Sequence, residues 1–170
     1  MTIILGIDPG SRITGYGLIK ATTTSVEYLD SGCIRTTTDL PLSQRLLQIY
    51  DAICELMDRY TPGEVAIEQV FMHENPGSAL KLGHARGVAM VAAASHRVAI
   101  AEYSPREIKE SVVGFGAATK AQVSHMVVHL LTLNNAPQSD AADALAIALC
   151  HSYRKGSMSS ILGTRRRSRR

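Results

Sequence analysis

The chain has 170 residues, enough for one domain of roughly 100–200 residues and little else. Hydrophobic residues make up 45% and charged residues 19%; these values exclude an intrinsically disordered chain, and no apolar run reaches the ~18 residues of a membrane span. The formal charge is +3, but Arg165, Arg166, Arg167, Arg169 and Arg170 crowd the last six residues and leave 13 cations against 15 anions, net −2, in the body. A near-neutral body with a basic end fits a polyanionic partner, most often nucleic acid, and equally a solvated, solubilising tail. Met1 to Leu5 lacks a basic n-region and an A-x-A site, so no signal peptide is expected. Cys33, Cys54 and Cys150 are odd in number and lack C-x-x-C spacing. They read as reduced thiols of a cytoplasmic protein, not as a disulfide frame or a zinc site.

Thr2 to Asp8 is nearly continuous branched apolar sequence, the pattern of a strand buried on both faces. Pro9-Gly10-Ser11 breaks it. Ile13 to Lys20 forms a second strand, with Gly15 and Gly17 keeping one face thin, and Val26 to Thr36 a third. Their close spacing predicts an antiparallel meander. From Leu42 to Tyr60 the apolar residues recur at helical spacing, up to Pro62-Gly63. Glu64 to Val70 is a short strand. Asn75-Pro76-Gly77 is a turn, and Ser78 to Ser95 is a helix rich in Ala and Gly. Val98 to Tyr103 is a fifth strand. Ser104-Pro105 opens a short helix to about Val113, with Ser as N-cap and Pro in the first position. Thr119-x-x-Gln122 is a capping box that opens a helix to about Leu133. A last helix runs from about Ser139 to Tyr153. The fold class is α/β: a mixed five-stranded sheet, its first three strands antiparallel, with helices on both faces. Residues 1–155 are expected to form one domain, and 156–170 a basic, disordered tail.

Four carboxylates stand where the backbone changes course. Asp8 ends the first strand and Glu68 lies near the end of the fourth. Asp140 and Asp143 are three apart at the start of the last helix, on one face. Ligand sites of open α/β sheets form at strand ends, so Asp8 and Glu68 can converge there. Oxygen donors without interleaved His or Cys suit magnesium or manganese, not zinc. Each residue alone also has a plainer reading. Asp8 fits a turn before Pro-Gly, Glu68 a strand-end partner for a lysine, and Asp140 and Asp143 a helix cap and a favoured first-turn charge. Against that, Ala141, Ala142, Ala144 and Leu145 surround the last pair with apolar sequence.

Lys109 and Lys120 flank a glycine-containing loop. Lys120 begins a helix, where a cation is unfavourable unless an anion faces it. Arg12, Lys81, Arg86 and Arg106 are candidate phosphate contacts or ordinary surface charges. Phe71 borders the loop with Asn75 and Gly77; it can stack on bases or anchor that loop. His73, His84, His96, His125, His129 and His151 show no ligand spacing supported by carboxylates.

The segments GIDPGSRITGYG, AIEQVF, SALKLGHARGVA and SDAADALAIA closely resemble the RuvC family of bacterial crossover junction endonucleases, from about Ile3 to His151. The resemblance implies a ribonuclease-H-like fold, a homodimer and Mg²⁺-dependent resolution of four-way (Holliday) DNA junctions. It assigns the catalytic and metal-binding carboxylates to Asp8, Glu68, Asp140 and Asp143. Lys109 and Lys120 become the site lysines, and Phe71 the aromatic that acts on bases near the crossover. Arg12, Lys81 and Arg86 join Phe71, Lys109 and Lys120 as candidate DNA contacts. Part of the Ser78 to Ser95 helix, with Ala79, Gly83, Gly87 and Met90 at three- and four-residue steps, is assigned to the dimer interface. RuvA and RuvB, the branch-migration proteins, are expected partners on the same ground. The implied mechanism uses two Mg²⁺ ions, for which Mn²⁺ can substitute. Asp8 lies between them, with Glu68 on one side and Asp140 and Asp143 on the other.

Two other functions compete. A sugar-kinase-like phosphotransferase shares D-x-G and a glycine-bearing strand pair, but needs two such domains, and no G-x-x-x-x-G-K-[ST] loop is present. A non-catalytic DNA-binding module needs phosphate-reading cations more than four carboxylates.

Overall fold

The computed structural model describes residues 1–70 and 76–167, with side chains described up to residue 156. Five strands form one sheet: β1 (Thr2–Asp8), β2 (Ile13–Ala21), β3 (Val26–Arg35), β4 (Glu64–Glu68) and β5 (Ala99–Tyr103). Five helices complete the order: α1 (Leu42–Tyr60), α2 (Pro76–Ser95), α3 (Pro105–Val113), α4 (Lys120–Leu130) and α5 (Ser139–Arg167). The strand order is β3-β2-β1-β4-β5. β1, β2 and β3 pair antiparallel, while β4 and β5 run parallel to β1. This is the mixed sheet of a ribonuclease-H-like fold.

Alternating side chains put a core on each face. On one side Leu5, Ile7, Leu18, Val65 and Ile67 pack against Ile49, Ile53 and Met57 of α1 and Ala85, Ala89 and Ala92 of α2. On the other, Ile4, Ile19 and Ala66 pack against α3, α4 and the apolar run Leu145–Cys150 of α5. β1 is central and buried on both faces, which explains its near-continuous apolar sequence. Among the described residues no helix is long and apolar enough to cross a membrane.

Element ends depart from the sequence reading by one to three residues at several places, α4 stopping at Leu130 and not about Leu133, and by more at α5. β4 stops at Glu68 because its neighbour β5 stops at Tyr103, where Ser104 turns to cap α3. One further bond, Gln69 N–H to Tyr103 O at 2.8 Å, closes that edge. α2 begins at Pro76, inside the expected turn, since proline needs no helical N–H partner in a first turn. α5 passes Tyr153 and continues to Arg167. No proline follows Tyr153, and Gly156 and Gly163 each cost a helix only about 1 kcal/mol.

Candidate active site

Period-two alternation aims two carboxylates at α5. Ile4 of β1 belongs to the core beneath α5, and a Cβ on Gly6 would stand 2.1 Å from Ala144 O. Asp8 follows at the same parity. On β4, Ala66 faces that core and Glu68 follows it. The parallel register Ile7↔Ile67 sets Asp8 and Glu68 side by side at the carboxyl ends of adjacent strands.

Glycines bring the third partner down. Gly15 lies opposite Asp8 in the β1–β2 ladder. A Cβ on Gly15 would meet Asp140 O at 2.0 Å, and one on Gly17 would meet Leu145 N at 2.7 Å. Bare backbone therefore lets the first turns of α5 rest directly on the sheet. Asp8, Glu68 and Asp143 then line one cleft of about 210 Å³, together with Lys109 and Lys120. Pro105, Ile108, Val123 and Ile147 supply its apolar wall. Asp140 is outside that lining, but its charge reaches Asp8.

The two lysines enter from capped helices. α3 is held by a full capping box between Ser104 and Glu107, and α4 by one between Thr119 and Gln122. Lys120 Nζ donates to Asp143 Oδ2 at 2.8 Å. That bond supplies the anion that a cation at a helix start calls for, and it joins two side chains that line the cleft. It also raises the Lys120 pKa, so the ammonium stays charged.

The site is electrostatically unsatisfied. Burial, then the charges of Glu68, Asp143 and Asp140, push the Asp8 carboxyl up to about 8, against a partial offset from Lys120. Burial, then Asp143, raises Glu68 as well, while Lys120 and Lys109 pull it down. Two lysines do not neutralise such a cluster; additional positive charge would. Among the described residues no three His, Cys, Asp or Glu side chains already enclose a point that could hold an ion. The donor set nonetheless fits a hard divalent cation: oxygen only, anionic, and partly withdrawn from water.

The remaining sequence candidates are spread around this centre. Arg12 is exposed on the turn after Asp8, and Lys81 is exposed on α2. Arg86 is committed within the protein: its Nε donates to Glu68 O at 3.1 Å and its Nη2 pairs with Glu102. Phe71 lies outside the described residues. Sequence reasoning missed the bracing of the turn after Asp8. Thr14 Oγ1 donates to Gly10 O at 2.8 Å. Arg45 of α1 donates to Ser11 O and, at 3.1 Å, to Thr36 Oγ1. Thr14 lay within the GIDPGSRITGYG segment, but no local pattern marks Arg45, whose partners come from other elements.

Comparison with known proteins follows the same lines. The family model for crossover junction endodeoxyribonuclease RuvC matches residues 4–151. A crossover junction endodeoxyribonuclease RuvC of Legionella pneumophila (strain Lens) is 72% identical over 170 residues, 100% of this chain and 98% of that protein. One from Tolumonas auensis is 59% identical over 163 residues, 96% of this chain and 94% of that one. Among solved structures, T. thermophilus RuvC in complex with Holliday junction substrate superposes with a TM-score of 0.87 at 33% identity, over 92% of this chain and 96% of that one.

Proposed function

The chain belongs to the RuvC family of crossover junction endodeoxyribonucleases, and from that premise we propose that it resolves Holliday junctions by paired symmetrical nicks in homologous recombination and DNA repair. The observation that carries this reading is the cleft itself. Asp8, Glu68 and Asp143 meet Lys109 and Lys120 at the carboxyl ends of β1 and β4. Anionic oxygens beside cations suit a site that must hold a divalent ion and a phosphate at once.

Asp8, Glu68, Asp140 and Asp143 would hold the metal, two Mg²⁺ ions per site with Mn²⁺ as a substitute. Bound there, the ions supply activation of a water and neutralisation of charge at the leaving 3′ oxygen. The chain's own groups do the rest. Asp8 sits deepest and gives up its proton when positive charge arrives. Lys120, kept charged by Asp143, and Lys109 face the scissile phosphate and stabilise its growing charge. Ile108 and Val123 limit the water that reaches the cleft. Arg86 holds the Glu68 carbonyl and keeps that carboxylate at the cleft.

Two cuts on one junction require two sites, which a two-fold dimer presents together. The apolar groove between α1 and α2, lined by Leu46, Leu47, Tyr50, Val88 and Val91, supports that assembly. Leu47 and Val91 are 56% and 60% exposed there in the single chain. Residues 1–155 are read as the nuclease domain and 156–170 as a basic arm for DNA. The resemblance alone supports RuvA and RuvB as partners, and a cytoplasmic location follows from the DNA substrate. A synthetic four-way junction incubated with and without Mg²⁺, beside a linear duplex of the same sequence, tests the reading on native and denaturing gels. Mg²⁺-dependent nicking of the junction alone is expected; equal cutting of the duplex would refute junction selectivity.

A further inference from the structure

The chain has two phenylalanines, and Phe115 was not among the residues that the sequence singled out. It sits on the loop joining α3 to α4, between Lys109 and Lys120, the two lysines of the cleft. Its ring is 48% exposed, and among the described residues it is the one exposed aromatic. A single exposed apolar side chain is commonplace. This one differs in how its loop is built and in which helices that loop joins.

The loop is fixed at both ends. Gly114 closes α3 in a left-handed conformation, φ 97°, with its N–H on Glu110 O. Thr119 opens α4 through its capping box. Ala118 is buried against the core and its N–H reaches Phe115 O at 3.4 Å. Gly116 lies so close to Arg106 that a Cβ there would stand 2.7 Å from Arg106 Cγ. Arg106 is held in that place by Glu110, 2.8 Å away. The loop thus carries an exposed aromatic one residue from a glycine packed on Arg106, and it joins the two helices whose Lys109 and Lys120 line the cleft. An exposed ring among cations is what a protein uses to stack on an unpaired base while its charges follow the phosphates. A protein partner would instead favour a broader apolar surface.

We infer that Phe115, supported by Arg106, is a second DNA contact that stacks on a base unstacked from the strand entering the cleft. The inference rests on the junction-nuclease reading and adds a positioning element to it: the ring fixes the strand so that the correct phosphate faces Asp8. Linear duplex offers no free base face, so the contact contributes to junction preference.

The chain contains no tryptophan, so Phe115→Trp installs a single reporter. The test uses full-length protein with Ca²⁺ in place of Mg²⁺ to hold uncut DNA. Saturating four-way junction is expected to quench the Phe115→Trp emission, and linear duplex to leave it nearly unchanged. Phe115→Ala is expected to bind the junction roughly tenfold more weakly, a loss in the range of one stacked base. Its duplex affinity and melting temperature should stay at wild-type values, since the ring is exposed. Unquenched emission together with wild-type junction affinity in Phe115→Ala would overturn the inference. So would an altered sedimentation coefficient with DNA binding intact, which would place the ring at a protein contact. Failure of the underlying reading is separate and visible: wild-type protein would then cut no junction in Mg²⁺.

Discussion

In the metal-free protein Asp8 should work against the fold it belongs to. Its carboxyl has an ordinary pKa of 3.8 and is pushed up to about 8 in the folded chain, first by burial and then by Glu68, Asp143 and Asp140. A raised folded pKa means that the native state binds the extra proton. Stability is therefore retained below about pH 4, falls as pH rises from about 4 to 8, and is flat beyond. About four pKa units at 1.36 kcal/mol each place an upper limit of about 5 kcal/mol on the loss. Asp8→Asn keeps the size and removes the titration. Urea unfolding in a chelating buffer at pH 5, 7 and 9 reads the difference. Wild type should weaken steadily across the series, while Asp8→Asn keeps its midpoint apart from changes common to both. The variant should overtake wild type by pH 9, and saturating Mg²⁺ should restore wild type far more than the variant. Parallel pH curves for the two proteins would show that Asp8 is not held in a repulsive, buried cluster, and the electrostatic account of the cleft would fail.

Other outcomes follow from the same geometry. Gly15→Ala puts a Cβ 2.0 Å from Asp140 O and must lift α5 from the sheet; thermal melting should fall, and junction cleavage should fall further than melting explains. Lys120→Gln removes the 2.8 Å bond to Asp143 from a side chain that is largely exposed. Stability should change by no more than about 1 kcal/mol, while single-turnover cleavage drops about 10²–10³-fold. Deleting Arg165 to Arg170 should lower the slope of log affinity against log salt by up to about four, because five fewer cations release counterions. Junction preference over duplex, measured by competition, should survive that deletion.

The legible parts of the fold are those decided by local pattern. β1 and α1 fall where their apolar periods place them, because burial on two faces or on one helical stripe repeats along the chain. The Ser104 N-cap of α3 and the capping box of α4 are legible for the same reason: each is a device of a few neighbouring residues. Gly15 and Gly17 were readable as a thin face, but only the structure shows Asp140 and Leu145 filling it. Long-range pairings were not readable. Arg86 was a candidate phosphate ligand, yet its guanidinium serves Glu68 O and Glu102 across the fold. Arg45 and Phe115 went unnoticed because a helix arginine and a loop phenylalanine carry no local mark of their surroundings. The end of α5 is not legible because basic composition neither continues nor stops a helix, and the stretch after Tyr153 holds no proline.

As proposed, Asp8, Glu68, Asp140 and Asp143 form one cutting centre. Its most direct test sets the wild type beside the four single variants Asp8→Asn, Glu68→Gln, Asp140→Asn and Asp143→Asn. Each is measured for melting, for four-way junction affinity in chelator, and for strand cleavage in Mg²⁺. The expected result is four folded proteins that bind the junction as well as wild type or more tightly, since each has lost an anion facing phosphate, and that scarcely cut it. Folded variants that cut at near wild-type rates would contradict the assignment of these carboxylates to the metal site.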